Sequence, residues 1–135
     1  MSVKVFLSGA VENVQEYGIE WRKSATKKLH LLGYDVIDPT TVTDSGYETP
    51  KEVVEKNLFM QKRADILLVE YMIQDRQYIG TDFEMAWAKL NNQPVIAFAS
   101  PQASQRVYLK YMATKLAFSM QDAIEYISIN YPSNY

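Results

Sequence analysis

Cysteine is absent from this 135-residue chain and histidine occurs once, as His30. Disulfides, thiolate metal sites and a cysteine nucleophile are thereby excluded, as is any metal site built from several histidines. No apolar run reaches the roughly 18 residues of a membrane span. Met1-Ser2-Val3-Lys4 leads directly into a strand-like stretch, without the apolar core of a signal peptide. The expectation is a soluble cytoplasmic protein with no membrane partner. Positive charge is not in excess either. Lys and Arg number 14 against 16 Asp and Glu, for a net charge of −2 and an isoelectric point near 5.4. That balance argues against a surface that coats a nucleic-acid polymer and leaves small molecules, single nucleotides included. Glycine occurs five times and never as G-x-G-x-x-G, so the dinucleotide phosphate cradle is missing and no cofactor is implied.

What is present is the material of one globular domain: 47% apolar residues and 22% charged. Val3 to Leu7 is β-branched and apolar and breaks at Ser8-Gly9, a first strand. Trp21, Ala25, Leu29 and Leu32 recur at helical spacing until Gly33. A second strand, Tyr34 to Ile37, stops at Asp38-Pro39, and a polar loop carries Gly46 and Tyr47. Thr49-Pro50-Lys51-Glu52 reads as a capping box with proline in the first turn, opening a helix to about Arg63. Asp65 caps the turn before a third strand, Ile66 to Val69, and Tyr71 to Ile79 reads as a loop. Gly80-Thr81 opens the next helix, to about Asn91, with Phe83, Ala86, Trp87 and Leu90 on one stripe. Val95 to Ala99 is a fourth strand, Leu116 to Phe118 a short fifth, and Ser119 caps a last helix. Strands alternating with helices predict a single-domain, doubly wound α/β fold, flavodoxin/Rossmann-like, with about five mostly parallel strands flanked by helices. The domain covers residues 1–130, and 131–135 form a tail.

In such sheets ligands bind beyond the carboxyl ends of the strands, at the point where the strand order reverses. Strands one and three are neighbours there, which brings Ser8-Gly9 towards Gly80-Thr81 and Glu84. Thr81-Asp82-Phe83-Glu84 is itself a capping box, and Thr49/Glu52 and Ser119/Asp122 are two similar starts. Glu84 therefore has two readings, a cap or a reactive carboxylate in the first turn of a helix on the ligand edge. Gly80 lets a ligand approach the backbone. Asn57 shares the stripe of Val53 and Val54, and either bonds nearby backbone or points into the cleft. Asp38 is a turn former or a cleft carboxylate. Trp21 belongs to the core. Arg22 reads as a solvated charge, within reach of a phosphate if its helix borders the cleft. His30 sits at a helix C-terminus, where the dipole favours a cation. Tyr47, Tyr71 and Tyr78 lie in loops, where any of them stacks on a base or merely fills a turn.

The segments Lys4-Val-Phe-Leu-Ser-Gly-Ala10, Trp21-Arg22, Gly33-Tyr-Asp-Val-Ile-Asp-Pro39, Ala64-Asp-Ile-Leu-Leu-Val69, Gly80-Thr-Asp-Phe-Glu84-Met-Ala-Trp-Ala88 and Gln93-Pro-Val-Ile96 run in order over residues 3–99. In that order and spacing the chain resembles the nucleoside 2-deoxyribosyltransferase-like family. The resemblance implies that Glu84 is a nucleophile that attacks the anomeric carbon of a nucleoside or nucleoside monophosphate. It implies a covalent glycosyl-enzyme, resolved by a second base or by water, and a homodimer or larger homo-oligomer. Ser8, Gly9, Asp38, Asn57, Tyr78, Gly80 and Thr81 are the positions expected around the substrate. The family often places base-handling aspartates where Asn57 and Tyr78 stand here; Asp75 and Asp82 are the nearby carboxylates. A non-catalytic nucleotide-binding relative is the alternative, with Glu84 as a cap. A flavodoxin-like signalling or cofactor domain needs a phosphate loop after the first strand, and Ser8-Gly9-Ala10-Val11-Glu12 does not offer one.

Overall fold

The computed structural model describes residues 2–10, 15–41, 49–73 and 76–134. Five strands form one sheet: β1 (Lys4–Ser8), β2 (Asp35–Ile37), β3 (Ile66–Tyr71), β4 (Val95–Ala99) and β5 (Lys115–Ala117). Their order is β2-β1-β3-β4-β5 and every pairing is parallel. This is the doubly wound arrangement expected from the alternation of strand and helix patterns. The helices are α1 (Gln15–Leu31), α2 (Pro50–Gln61), α3 (Ile79–Leu90), α4 (Val107–Met112) and α5 (Met120–Asn130).

A parallel sheet is covered on both faces, so its central strands are apolar at every position. β3 is buried throughout, and so is β4. Alternation then sorts the side chains into two cores. Val5, Leu7, Ile66 and Leu68 pack on one face with Trp21, Ala25 and Leu29 of α1 and Ala123, Ile124 and Ile127 of α5. Phe6, Leu67 and Val69 pack on the other face with Met85 and Ala88 of α3 and Leu109 and Met112 of α4. Each fully buried aliphatic side chain contributes about 1.5–3 kcal/mol.

Thr49 caps α2 as expected. Its hydroxyl accepts from the Glu52 N–H while Glu52 accepts from the Thr49 N–H. Ser119 likewise caps α5 through the Asp122 N–H. Three expectations need correction. β3 runs two residues past Val69, so it takes in Glu70 and also Tyr71, which the loop reading of Tyr71 to Ile79 included. The stripe of Val53 and Val54 is not a core face, for Val54 is 50% exposed and Gln61 is the one buried residue of α2. And α3 begins at Ile79, with Tyr78 as a cap residue that makes no side-chain capping bond. Thr81 then lies inside the helix and Glu84 in its second turn, so the Thr81/Glu84 capping box does not form.

The end of the chain is tied to the opposite edge of the sheet. The Tyr34 hydroxyl donates to the Tyr131 carbonyl at 2.6 Å, the Val3 N–H to the Ser133 carbonyl, and Asn134 bridges Ser2. Residues 131–134 therefore lie at the amino ends of β1 and β2. No helix among the described residues is long and apolar enough to cross a membrane.

Candidate active site

β1 and β3 are adjacent, with Ser8 in register with Val69. They mark the switch point, since α1 leaves β1 for one face and α3 leaves β3 for the other. Ser8 is the last residue of β1 and, by alternation, points with Phe6 towards the α3 face. Thr81, Glu84, Met85 and Ala88 recur at helical spacing on the inward side of α3, where Thr81, Met85 and Ala88 are buried. The two sets meet: the Ser8 hydroxyl donates to Glu84 Oε1 at 2.5 Å. α3 is held in place by Gln61, whose Nε2 donates to the Glu84 carbonyl at 2.9 Å and to Gln93 Oε1 at 3.1 Å. Gln93 returns bonds to the Gln61 and Ala64 carbonyls. Glu84 is thus fixed from β1 through its side chain and from α2 through its backbone.

The electrostatics of Glu84 differ from those of a helix cap. Burial pushes its carboxyl up from about 4.5 to about 7, against the opposing pull of the Ser8 hydroxyl and the Arg22 charge. Glu84 lies past the first turn of α3, where the backbone amides are already engaged within the helix, so the helix N-terminus does not offset this burial.

Arg22 is not the solvated charge of the sequence reading. It is 1% exposed, among the largest fully buried side chains of the protein. One guanidinium nitrogen donates to the Gly18 carbonyl and another to the Gly9 carbonyl, each at 3.0 Å. Nε lies 3.9 Å from Asp38 Oδ1. Burial lowers its pKa, and Asp38, Glu84 and Glu70 act in the other direction. A buried cation thus faces three carboxylates from different elements. By gripping Gly9 it also fixes the end of β1, and with it Ser8.

Glu70 escaped the sequence reading, which ended β3 at Val69. It is 0% exposed and, among the described residues, makes no direct ion pair with a guanidinium or ammonium. Its carboxylate instead accepts from the Tyr78 hydroxyl (2.9 Å), the Tyr17 hydroxyl (3.1 Å), the Met72 N–H (2.8 Å) and, more weakly, the Ala10 N–H (3.4 Å). Glu70 faces the α1 side of the sheet, directly beneath Gly9. A Cβ at Gly9 would stand 3.0 Å from Glu70 Oε1 and 3.0 Å from the Trp21 ring. Glycine is required there by close approach rather than by backbone angle. Gly9→Ala is expected to cost about 1–3 kcal/mol, because neither neighbour is free to retreat; a urea midpoint equal to that of the parent would refute this.

The remaining expected positions divide clearly. Asp38 is both turn former and site neighbour: it accepts from the Thr40 N–H and hydroxyl and faces Arg22. Gly80 is exposed, and an added Cβ there meets no atom within 4 Å, so this edge is open. Asn57 is half-buried on α2 and shares no hydrogen bond with Glu84 among the described residues. Tyr78 is not a free loop ring. It is 2% exposed and stacks on Tyr71 with centroids 4.0 Å apart. Tyr71 donates to Asp82 Oδ1 at 2.8 Å and accepts from Arg106. Burial, then the bond to Asp82, pushes the Tyr71 phenol up to about 12. Asp82 therefore serves a groove between α3 and α4, on the other side of α3 from Ser8. Tyr47, Asp75, Val11 and Glu12 lie outside the described residues.

The sheet order and its switch point define the class of fold. Solved structures share that fold over nearly the whole chain. The 2-desoxiribosyltransferase from Leishmania mexicana is similar at 14% identity, covering 96% of this chain and 99% of that one, with a TM-score of 0.74. The 2-deoxyribosyltransferase from Bacillus psychrosaccharolyticus is similar at 20% identity and 89% coverage of both chains, with a TM-score of 0.72. A CMP N-glycosidase from Clostridium botulinum is similar at 14% identity, covering 93% and 98%, with a TM-score of 0.62. These neighbours are enzymes that bear the fold. No family model and no curated protein matches the chain.

Proposed function

We propose that this chain breaks the N-glycosidic bond of a nucleoside or nucleoside monophosphate, with Glu84 as the nucleophile. The observation that carries the proposal is the Glu84 carboxyl held by Ser8 at the switch point of this fold. Support comes from solved relatives that act on such bonds, as transferases and as a glycosidase.

Ser8 holds Oε1, which leaves Oε2 to attack the anomeric carbon. The C–N bond breaks, and its electron pair leaves with the base, which takes up a proton. The developing oxocarbenium charge sits beside a carboxylate in a buried setting, where electrostatic stabilisation is strong. The sugar is then esterified to Glu84. A second base or water attacks the same carbon, expels the carboxylate and completes net retention. Asn57 is an amide and has no proton to give at neutral pH. The Tyr78 phenol is pushed up by burial and by Glu70, which makes it a poor acid. Water at the open edge by Gly80 supplies the proton in this reading. Ile79 and Phe83 on α3 and Val107, Tyr108 and Tyr111 on α4 are exposed apolar side chains, which supports assembly into a homo-oligomer.

Chromatography of nucleosides and monophosphates incubated with and without a free base tests the reading. Released base alone indicates hydrolysis and a new nucleoside indicates transfer; neither product across the panel would overturn it. The pH dependence adds a second test. Attack needs ionised Glu84, so kcat/KM should rise with pH through about 7. Ser8→Ala removes a bond that favours the charged form, so its rising limb should move to higher pH by about one unit. An unmoved limb would show that Ser8 does not tune this carboxylate.

A further inference from the structure

The proposed reaction leaves Glu70 unused. Yet a fully buried carboxylate without a direct ion pair among the described residues is costly even with the Arg22 charge nearby, and such groups concentrate at functional sites. Its four donors come from three segments of the sheet's carboxyl edge: Ala10 after β1, Tyr17 in the first turns of α1, and Met72 and Tyr78 between β3 and α3. Three of the four partners are buried or in backbone. Tyr17 is the exception, at 38% exposure. Its hydroxyl lies 3.1 Å from Glu70 Oε2, and Glu70 abuts Gly9, the neighbour of the Ser8 that holds Glu84. A short chain of contacts therefore joins the nucleophile to one half-exposed phenol on the rim.

The chemistry of that phenol is fixed by its partner. The Tyr17 hydroxyl donates to Glu70 Oε2, so its one proton is committed to Glu70. Burial and then Glu70 raise the phenol's pKa, so Tyr17 is no proton donor to a leaving base. A phenolic oxygen that donates its one proton can still accept a hydrogen bond, and Tyr17 is the partly exposed partner of Glu70. That oxygen pairs with a substrate N–H or O–H and is mismatched with a carbonyl.

We propose that Tyr17, oriented by Glu70, is a specificity-determining acceptor that selects a substrate hydrogen-bond donor: an exocyclic amino group of the base or a hydroxyl of the sugar. Glu70 is then a positioning residue that acts through Tyr17. This rests on the N-glycosyl reading for its substrate class, but it concerns recognition and is separable from the nucleophile.

The test uses matched pairs. Cytidine against pyrimidin-2-one ribonucleoside removes only the exocyclic amino group, and each ribonucleoside against its 2′-deoxy form removes one hydroxyl. Binding of each is measured by calorimetry to Glu84→Gln, with and without Tyr17→Phe, and kcat/KM is measured in the parent background. The parent should prefer the donor-bearing member of one pair by about 5- to 10-fold, and Tyr17→Phe should erase that preference. Loss in the base pair assigns the donor to the base, and loss in the sugar pair assigns it to the sugar. Glu70→Gln places an N–H against the phenol and frees its proton to point outward, so the preference should fall to parity or invert. The Glu70→Gln/Tyr17→Phe double variant should match Tyr17→Phe alone in the discrimination ratio, which a purely structural role would not produce. Tyr17→Phe with the parent's discrimination in both pairs overturns the proposal. Intact discrimination shifts in a protein whose Glu84→Gln variant still turns over would leave Tyr17 standing and remove the nucleophile. A folded protein that binds no nucleoside overturns both.

Discussion

Glu84→Gln is expected to lower base release or exchange by at least about 10³-fold while the protein stays folded, because an amide in place of the carboxylate that Ser8 holds cannot form the glycosyl ester. The same variant carries a stability signature that separates this role from that of a helix cap. The folded-state pKa of Glu84 is raised to about 7, so between about 4.5 and 7 the folded protein binds more of this proton than the unfolded chain does. Stability from this group is present below about 4.5 and is lost as pH rises through 7. Glutamine has no such loss. Glu84→Gln should therefore be near the parent in stability at pH 4.5 and more stable at pH 8, by about 1–3 kcal/mol once partial exposure is allowed for. Removing a true cap would instead cost about 1 kcal/mol at neutral pH. A variant both inactive and more stable at pH 8 identifies a carboxylate kept for function. Undiminished turnover, or lower stability at pH 8, would reject that role.

The parts of the site visible in the sequence are those that depend on local pattern. Apolar runs and turn residues place β1, β3 and β4 within a residue or two, and strand-helix alternation gives the sheet its parallel order. Once β1 and β3 are neighbours, Ser8 and Glu84 must lie near one another, and they share a hydrogen bond. The parts that were missed depend on burial that no local pattern announces. Arg22 follows Trp21 on a helix where a charge normally faces water, and only the carboxylate of Asp38 and the carbonyls of Gly9 and Gly18 show why it turns inward. Glu70 follows an apolar run and carries no reading of its own until phenols from α1 and from the approach to α3 are seen to satisfy it. Gln61 gives no local signal, because its partner Gln93 is 32 residues away. Thr81-x-x-Glu84 shows the reverse error. The motif is genuine as a string, but a helix start only two residues earlier converts a cap into an inward-facing carboxylate.

Arg22→Met should be the most damaging single change to the folded state that leaves the side-chain stem in place. Methionine keeps most of the packing volume and removes the guanidinium. The carbonyls of Gly9 and Gly18 then lose their donors, and Asp38, Glu84 and Glu70 lose the cation they share. Breaking one side of a buried charge arrangement is far more costly than deleting a surface ion pair. A loss of about 3 kcal/mol is expected at pH 7, against less than about 0.5 kcal/mol for a solvated arginine. The loss should shrink towards pH 4, where the stranded carboxylates can be neutralised. Arg22→Lys separates charge from geometry: a lysine retains the cation but cannot span two carbonyls with a planar fork. It should recover the parent's rising limb of kcat/KM, since Glu84 again faces a positive charge, while regaining only part of the stability. Arg22→Met should instead carry that limb to higher pH. Equal urea midpoints for the parent and Arg22→Met at pH 7 would mean that the guanidinium is solvated after all, and that Ser8 and Gln61 hold Glu84 in place without it.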